Sequence, residues 1–168
     1  MNLAPVLALL ERQFPDRLDA AFVYGSVAAG RNHPGSDLDC FVLLTEEPDP
    51  VHRLRVGEEF AALQRRLGLT PDPHHPVELF TVGACWSALR SPTAGRLLAG
   101  DAGQPPDPAD SDEVEIMHAL LDERIELRSS PCLAALTDQA EAVVRTATDP
   151  RRLRRLLGVR HEAAEDLT

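Results

Sequence analysis

Lysine is absent from the chain: all seventeen basic residues are arginine. That excludes a P-loop NTPase, whose phosphate-binding loop depends on a lysine that reaches the β- and γ-phosphates. Positive charge is also outweighed. Against 27 acidic residues the formal net charge is −10 at pH 7, which argues against DNA or RNA as a main partner, since binding a polyanion needs a basic surface that releases counterions. The same acidity draws a cationic small molecule or a basic protein. No apolar run approaches the ~18–20 residues needed to cross a bilayer. The opening MNLAPVLALLERQF has no basic leader and carries Glu11 and Arg12 early, so an amphipathic helix is expected there and not a signal peptide. Cysteine is limited to Cys40, Cys85 and Cys132. An odd number, wide spacing and apolar surroundings favour reduced, buried thiols in a cytoplasmic protein over disulfides or a zinc site. Internal repeats are missing, and the one biased stretch is Pro-rich, DAGQPPDPADS at 101–111.

What is present concentrates between Phe22 and Leu44, FVYGSVAAGRNHPGSDLDCFVLL. Gly25-Ser26 follows one apolar run directly, and Asp37-Leu38-Asp39 heads a second. A strand ending in Gly-Ser lets backbone N–H groups approach phosphate oxygens, because glycine has no Cβ in the way. A short helix starting there adds unpaired N–H groups that favour anions. Asp37 and Asp39 are two apart, so on a strand both carboxylates share a face. Bare, such a pair repels by about 2–3 kcal/mol at ~7 Å and an effective dielectric near 20. A divalent cation reverses that sign. A phosphate cradle with paired carboxylates points to metal-assisted chemistry on a nucleotide. Ser26 as a covalent nucleophile lacks a His/Asp constellation.

Gly25-Ser26, ten residues, then Asp37-Leu38-Asp39-Cys40 resembles the signature of the nucleotidyltransferase superfamily with the DNA polymerase β-like fold, and in particular its minimal and antibiotic-nucleotidyltransferase branches. Gly30 and Ser36-Asp37 match common family residues within the spacer. The chain departs from many relatives in having Val27, Ala28 and Ala29 where they carry an arginine; Arg31 follows the glycine by one position. The resemblance implies that Gly25 and Ser26 hold the β- and γ-phosphates of a nucleoside triphosphate, with ATP the expected donor. It implies that Asp37 and Asp39 bind two Mg²⁺ ions. Glu78, in the short apolar run PVELFTV, corresponds to a third carboxylate that relatives often supply. It either completes the metal site or takes the proton from an acceptor hydroxyl; the alternative is an edge-strand glutamate facing water.

The expected fold is α/β: a small mixed sheet backed by helices, followed by a C-terminal helical segment. Helical spacing covers residues 2–14, with Asn2 as cap. Strands are expected over 20–24, 38–44 and 77–82. Between them a helix bearing Val56, Phe60, Leu63 and Leu67 stops at Gly68. Trp86, Leu89, Leu97 and Leu98 suggest two short helices broken at Ser91-Pro92. The core is assigned to 1–100, the linker to 101–111 and the helical segment to 112–168. That segment is read as three helices: 112–128 with Asp110 and Glu113 at capping-box spacing, 131–147, and one after Pro150 ending near Gly158.

Other residues carry less. His33 is either a phosphate contact or a solvated loop residue. His74 and His75 point apart on an extended chain, and hard Mg²⁺ prefers oxygen. Tyr24 and Trp86 could stack on a base, with core packing the default. Asp110, Asp112, Glu113, Glu115, Asp122, Glu123 and Glu126 form either a solvated face or an acidic wall for an amine-rich acceptor. Arg151, Arg152, Arg154 and Arg155 alternate with leucines, as on a helix that docks by its apolar side. The reading is a nucleotidyltransferase that moves a nucleotide to a hydroxyl of a small molecule, such as an aminoglycoside-like antibiotic, or of a protein, as in toxin–antitoxin pairs. The alternative is an antitoxin-type binding module that neutralises a helical toxin mainly by contact. An inactive nucleotide sensor is disfavoured, because the metal-binding positions are intact.

Overall fold

The computed structural model describes residues 1–33, 35–91 and 111–147. Residues 101–110 of the Pro-rich stretch, the expected helix carrying Leu97 and Leu98, and the expected helix after Pro150 lie outside them. The described residues divide into two compact units. One comprises Met1–Ala84 with Glu123–Ala134; the other runs over Cys85–Asp122 and resumes at Ala135.

The first unit is built on a mixed sheet. Helix α1 (Ala4–Gln13) buries Val6, Leu9 and Leu10, which recur at helical spacing, and Asn2 Oδ1 accepts the Ala4 N–H at 3.0 Å. Strand β1 (Leu18–Val23) leads through Tyr24 into a single short turn of helix, α2 (Gly25–Ala28). Strand β2 (Cys40–Leu44) is buried at every position. Pro48-Asp49-Pro50, expected as a breaker, also starts helix α3 (Pro50–Arg66). Asp49 accepts the His52 N–H at 2.9 Å, and Pro50 sits where a missing N–H costs nothing. Helix α3 buries Val56, Phe60, Leu63 and Gln64, and the chain turns off at Gly68, whose φ is +80°. Strand β3 (Glu78–Thr81) runs straight into helix α4 (Val82–Arg90). Helix α5 (Ser111–Leu121), strand β4 (Ile125–Arg128) and helix α6 (Pro131–Ala147) complete the described chain.

The strand order is β3-β2-β1-β4. β1 pairs antiparallel with both β2 and β4, and β2 pairs parallel with β3. One face carries Leu18, Ala21, Val23, Cys40, Val42, Leu44 and Leu79 into a cluster with Val6, Leu10, Val56 and Phe60 of α1 and α3. On the other face a row of rings crosses three strands: Phe22 stacks on Phe41 at 4.9 Å and Phe41 meets Phe80 at 5.3 Å. The small mixed sheet backed by helices is as expected.

One expectation fails. Residues 112–128 do not form one helix: α5 stops at Leu121, and Ile125–Arg128 adds a fourth strand alongside β1. Locally, Glu, Leu and Arg favour helix, and Ile125 is itself exposed. Pairing with β1 and the packing of Leu127 against the core override that preference. Ser130 then holds the corner, donating to Asp19 Oδ2 on β1 and accepting the Leu133 N–H at 3.0 Å. Cys40 and Cys85 are buried and Cys132 is half-buried, and none of the three is in a disulfide among the described residues. Among the described residues no helix is long and apolar enough to cross a membrane.

The cap of α3 makes a pH-dependent contribution. Hydrogen bonding to the His52 N–H holds the Asp49 carboxyl below its ordinary value. A group with a lowered folded pKa stabilises above its unfolded pKa of about 4, and that stability is lost as pH falls through the folded value. Urea denaturation of wild type and Asp49→Ala should therefore differ fully at pH 7, and the difference should shrink steadily below pH ~4.

Candidate active site

The site assembles where β1 ends and β2 begins. Tyr24 is extended, and its N–H bonds the Asp39 carbonyl at 3.0 Å. Gly25 then adopts φ +65°, a left-handed backbone that costs other residues about 1–2 kcal/mol. A second constraint falls on the same residue. A Cβ placed on Gly25 would stand 2.1 Å from Asp39 Oδ2 and 3.0 Å from its Cγ. The Asp39 carboxylate thus lies directly against the bare Cα of the Gly-Ser turn. Ala29 N–H and Arg31 N–H return to the carbonyls of Gly25 and Ser26 at 3.0 and 2.9 Å, closing the turn. Ser26 is half-buried and Arg31 exposed.

The spacer loop is organised by its own side chains. Ser36 Oγ accepts the His33 N–H at 3.0 Å, and His33 Nδ1 accepts the Gly35 N–H at 3.0 Å. His33 is exposed, so its visible work is in shaping this loop.

Asp37 and Asp39 precede the strand proper, which starts at Cys40 and not at Leu38 as the sequence suggests. The period of two nevertheless extends through them: Ser36, Leu38 and Cys40 are buried while Asp37 and Asp39 are half-buried. Leu38 and Cys40 belong to the core cluster, which leaves both aspartates on the opposite face. A fully buried amide fixes this run. Gln64 Oε1 accepts the Leu38 N–H at 2.8 Å, and Gln64 Nε2 donates to the Pro76 carbonyl at 2.8 Å.

Glu78 opens β3, opposite Phe41. The Tyr24 hydroxyl donates to its Oε1 at 2.5 Å, reaching across β2 from β1, and Oε2 is shielded from solvent. Cys40 registers the same gathering of charge. Burial pushes its thiol far above the ordinary range, and the Glu78 and Asp39 carboxylates push it further in the same direction. The structure thus brings Gly25, Ser26, Asp39 and Glu78 to one end of the sheet, with Asp37 two residues from Asp39. Sequence reasoning does not mark Tyr24 as the partner of Glu78, and it passes over Gln64 altogether. For Tyr24 the available signal is its place beside Gly25. For Gln64 it is a glutamine one residue after Leu63, on the core face of a helix.

Among the described residues no three His, Cys, Asp or Glu side chains converge as a ready-made metal cage, so Asp37, Asp39 and Glu78 are not preassembled as a three-carboxylate set. The donors still suit Mg²⁺. It accepts one or two carboxylates and takes its remaining oxygens from phosphates and water, and Asp39 is packed against the Cβ-less turn expected to receive those phosphates. His74 and His75 lie instead on a groove of about 750 Å³ beside α3, lined also by Leu54, Arg65, Val77 and Leu79; none of Gly25, Asp37, Asp39 or Glu78 lines it. In the second unit, Trp86 has the Arg90 guanidinium over its ring at 5.4 Å. The acidic run does not form one helix face, since Glu126 lies on β4, bonded by Arg124 and Ser129.

Residues 8–76 match the family described as Polymerase beta, Nucleotidyltransferase; the matched span includes Gly25, Ser26, Asp37 and Asp39 and stops short of Glu78. No curated protein matches the chain. Among solved structures, the fold is similar to a chain in a crystal structure of a toxin–antitoxin with AMP-PNP, at TM-score 0.51 and 14% identity over 87% of this chain and 89% of that one. Chains in structures of two mutants of the toxin–antitoxin MntA-HpeT are similar at TM-score 0.51, with 14% and 12% identity over 87% of this chain and 88% of theirs.

The double constraint on Gly25 is directly testable. Gly25→Ala should displace the Asp39 carboxylate and cost at least about 1–2 kcal/mol from the left-handed backbone alone, measured by chemical denaturation. Gly30→Ala provides the comparison: Gly30 has φ +66°, but a Cβ added there would meet nothing within 4 Å, so it should incur the backbone cost without the clash.

Proposed function

From the match of residues 8–76 to the Polymerase beta, Nucleotidyltransferase family, we propose that the chain transfers AMP from ATP to a hydroxyl group of a protein partner, releasing pyrophosphate. The observation that carries the reading is the packing of the Asp39 carboxylate against Gly25, with Glu78 brought to the same end of the sheet. Gly25 and Ser26 receive the β- and γ-phosphates, where a glycine without Cβ lets oxygens come close to the backbone. Asp37 and Asp39 would hold two Mg²⁺ ions, which when bound supply charge neutralisation for the triphosphate and the departing pyrophosphate. The acceptor oxygen forms its bond to the α-phosphorus in line with the bridging α–β oxygen, and that P–O bond breaks. The acceptor proton passes to the Glu78 carboxylate, which the Tyr24 hydroxyl holds in place.

The protein acceptor is favoured over a small molecule by the fold's similarity to chains from toxin–antitoxin structures, one of them with AMP-PNP. The net charge of −10 fits a basic partner and disfavours nucleic acid. The same similarity supports the second reading, an antitoxin that neutralises a helical toxin by contact.

Incubation of the protein with α-labelled NTPs, Mg²⁺ and cell lysate should place label on protein, with ATP the best donor. Asp37→Asn with Asp39→Asn should lower transfer by at least about a thousandfold while the circular dichroism spectrum stays native, an effect of the size that electrostatic stabilisation of a transition state supplies. Robust transfer by the folded double variant would remove these residues from the site. Co-expression with the partner separates the two readings: neutralisation by the double variant at wild-type level makes contact the function and transfer incidental.

A further inference from the structure

Gln64 occupies a position where an apolar side chain would be the simpler choice. It follows Val56, Phe60 and Leu63 along the buried face of α3 and is itself 0% exposed. A buried primary amide is tolerated only when its polar atoms are bonded, and here the carbonyl and the amino group each have a partner at 2.8 Å. Those partners are main-chain groups of two different segments. The Leu38 N–H lies between Asp37 and Asp39, and the Pro76 carbonyl lies two residues before Glu78. The β2–β3 ladder begins only at the pair Phe41 and Glu78. Ahead of that rung the two segments are joined through the Gln64 amide, which supplies one acceptor and one donor as a peptide group of an intervening strand would. A second bond from just beyond α3, Thr70 N–H to the Ser36 carbonyl at 2.9 Å, secures the same aspartate-bearing run.

We propose that Gln64 is a positioning residue for nucleotidyl transfer: its amide sets the spacing between the Asp37–Asp39 segment and the start of the Glu78 strand. The role rests on the transfer reading above, whereas the bridge itself does not. Glutamate at this position has no donor when ionised, and asparagine is one methylene shorter. Methionine fills a similar volume and bonds neither segment. Misplacement of reacting groups by about 1 Å costs on the order of a hundredfold in rate, so loss of the bridge should appear in turnover more than in nucleotide affinity.

The test uses the full chain with two variants, Gln64→Met and Gln64→Glu, at a temperature where each gives a native near-ultraviolet circular dichroism spectrum. Hydrogen exchange reads the bridge, and label transfer from α-labelled ATP reads its consequence. In Gln64→Met the Leu38 amide should exchange at least about tenfold faster. The rate at saturating ATP should fall at least about tenfold, while the ATP concentration for half-maximal rate stays within about threefold of wild type. Gln64→Glu should regain activity relative to wild type as pH falls, because the neutral acid again offers one donor and one acceptor. A folded Gln64→Met with wild-type rate overturns the positioning role. Should that variant not fold, a Gln64→Glu to wild-type ratio that is independent of pH overturns it instead. If wild type transfers no label, the transfer reading fails and the positioning role with it, while unchanged or accelerated exchange at Leu38 still decides the bridge.

Discussion

The contact between the Gly25 Cα and the Asp39 carboxylate governs the candidate site. A carboxylate oxygen held where a Cβ would otherwise project, at 2.1 Å from that atom's position, permits no side chain at residue 25. It also ties the geometry of the turn to that of the segment ahead of β2. The Tyr24 N–H to Asp39 carbonyl bond makes the same connection through the backbone. The Gly-Ser turn and the acidic segment are therefore tied to each other, although ten residues of spacer lie between Ser26 and Asp37. The antiparallel pairing of β1 with β2 is what brings them together.

The sheet supplies the rest by alternation. Its α-helical face carries the apolar cluster around α1 and α3, with the buried Gln64 amide bonded within it, and the Asp39 and Glu78 side chains alternate to the other face. On that other face Phe22, Phe41 and Phe80 form a continuous apolar floor, and Tyr24 extends the row with a hydroxyl that reaches Glu78. A carboxylate at the margin of such a floor meets less water than one in a loop. The Cys40 thiol, on the opposite face, is raised chiefly by burial in the core, with the Glu78 and Asp39 carboxylates adding to it.

Much of this was legible because the governing interactions are local or periodic. The Gly-Ser turn, the aspartates two apart, the buried β2 run and the helix ending at Gly68 each follow from spacing and from the conformational freedom of glycine. The fourth strand was not legible, since Ile125–Arg128 has four residues, two of them charged, and a helical preference of its own. It becomes a strand through hydrogen bonds to β1, which lies about a hundred residues earlier in the chain. Glu78 stood out as an acid in an apolar run, yet nothing local indicated that its partner is Tyr24.

The sequence by itself determined the groups on offer: two aspartates two residues apart, a Gly-Ser turn with no Cβ at its first residue, and a net charge of −10. These depend on residue identity and short-range spacing, which a linear chain displays in full. Only the tertiary structure decided how those groups are held. It packed Asp39 on Gly25, set Tyr24 on Glu78, and placed the Gln64 amide between Leu38 and Pro76. Each of these contacts joins residues from separate segments, and the burial that makes a hydrogen bond obligatory exists only once the core has closed around it.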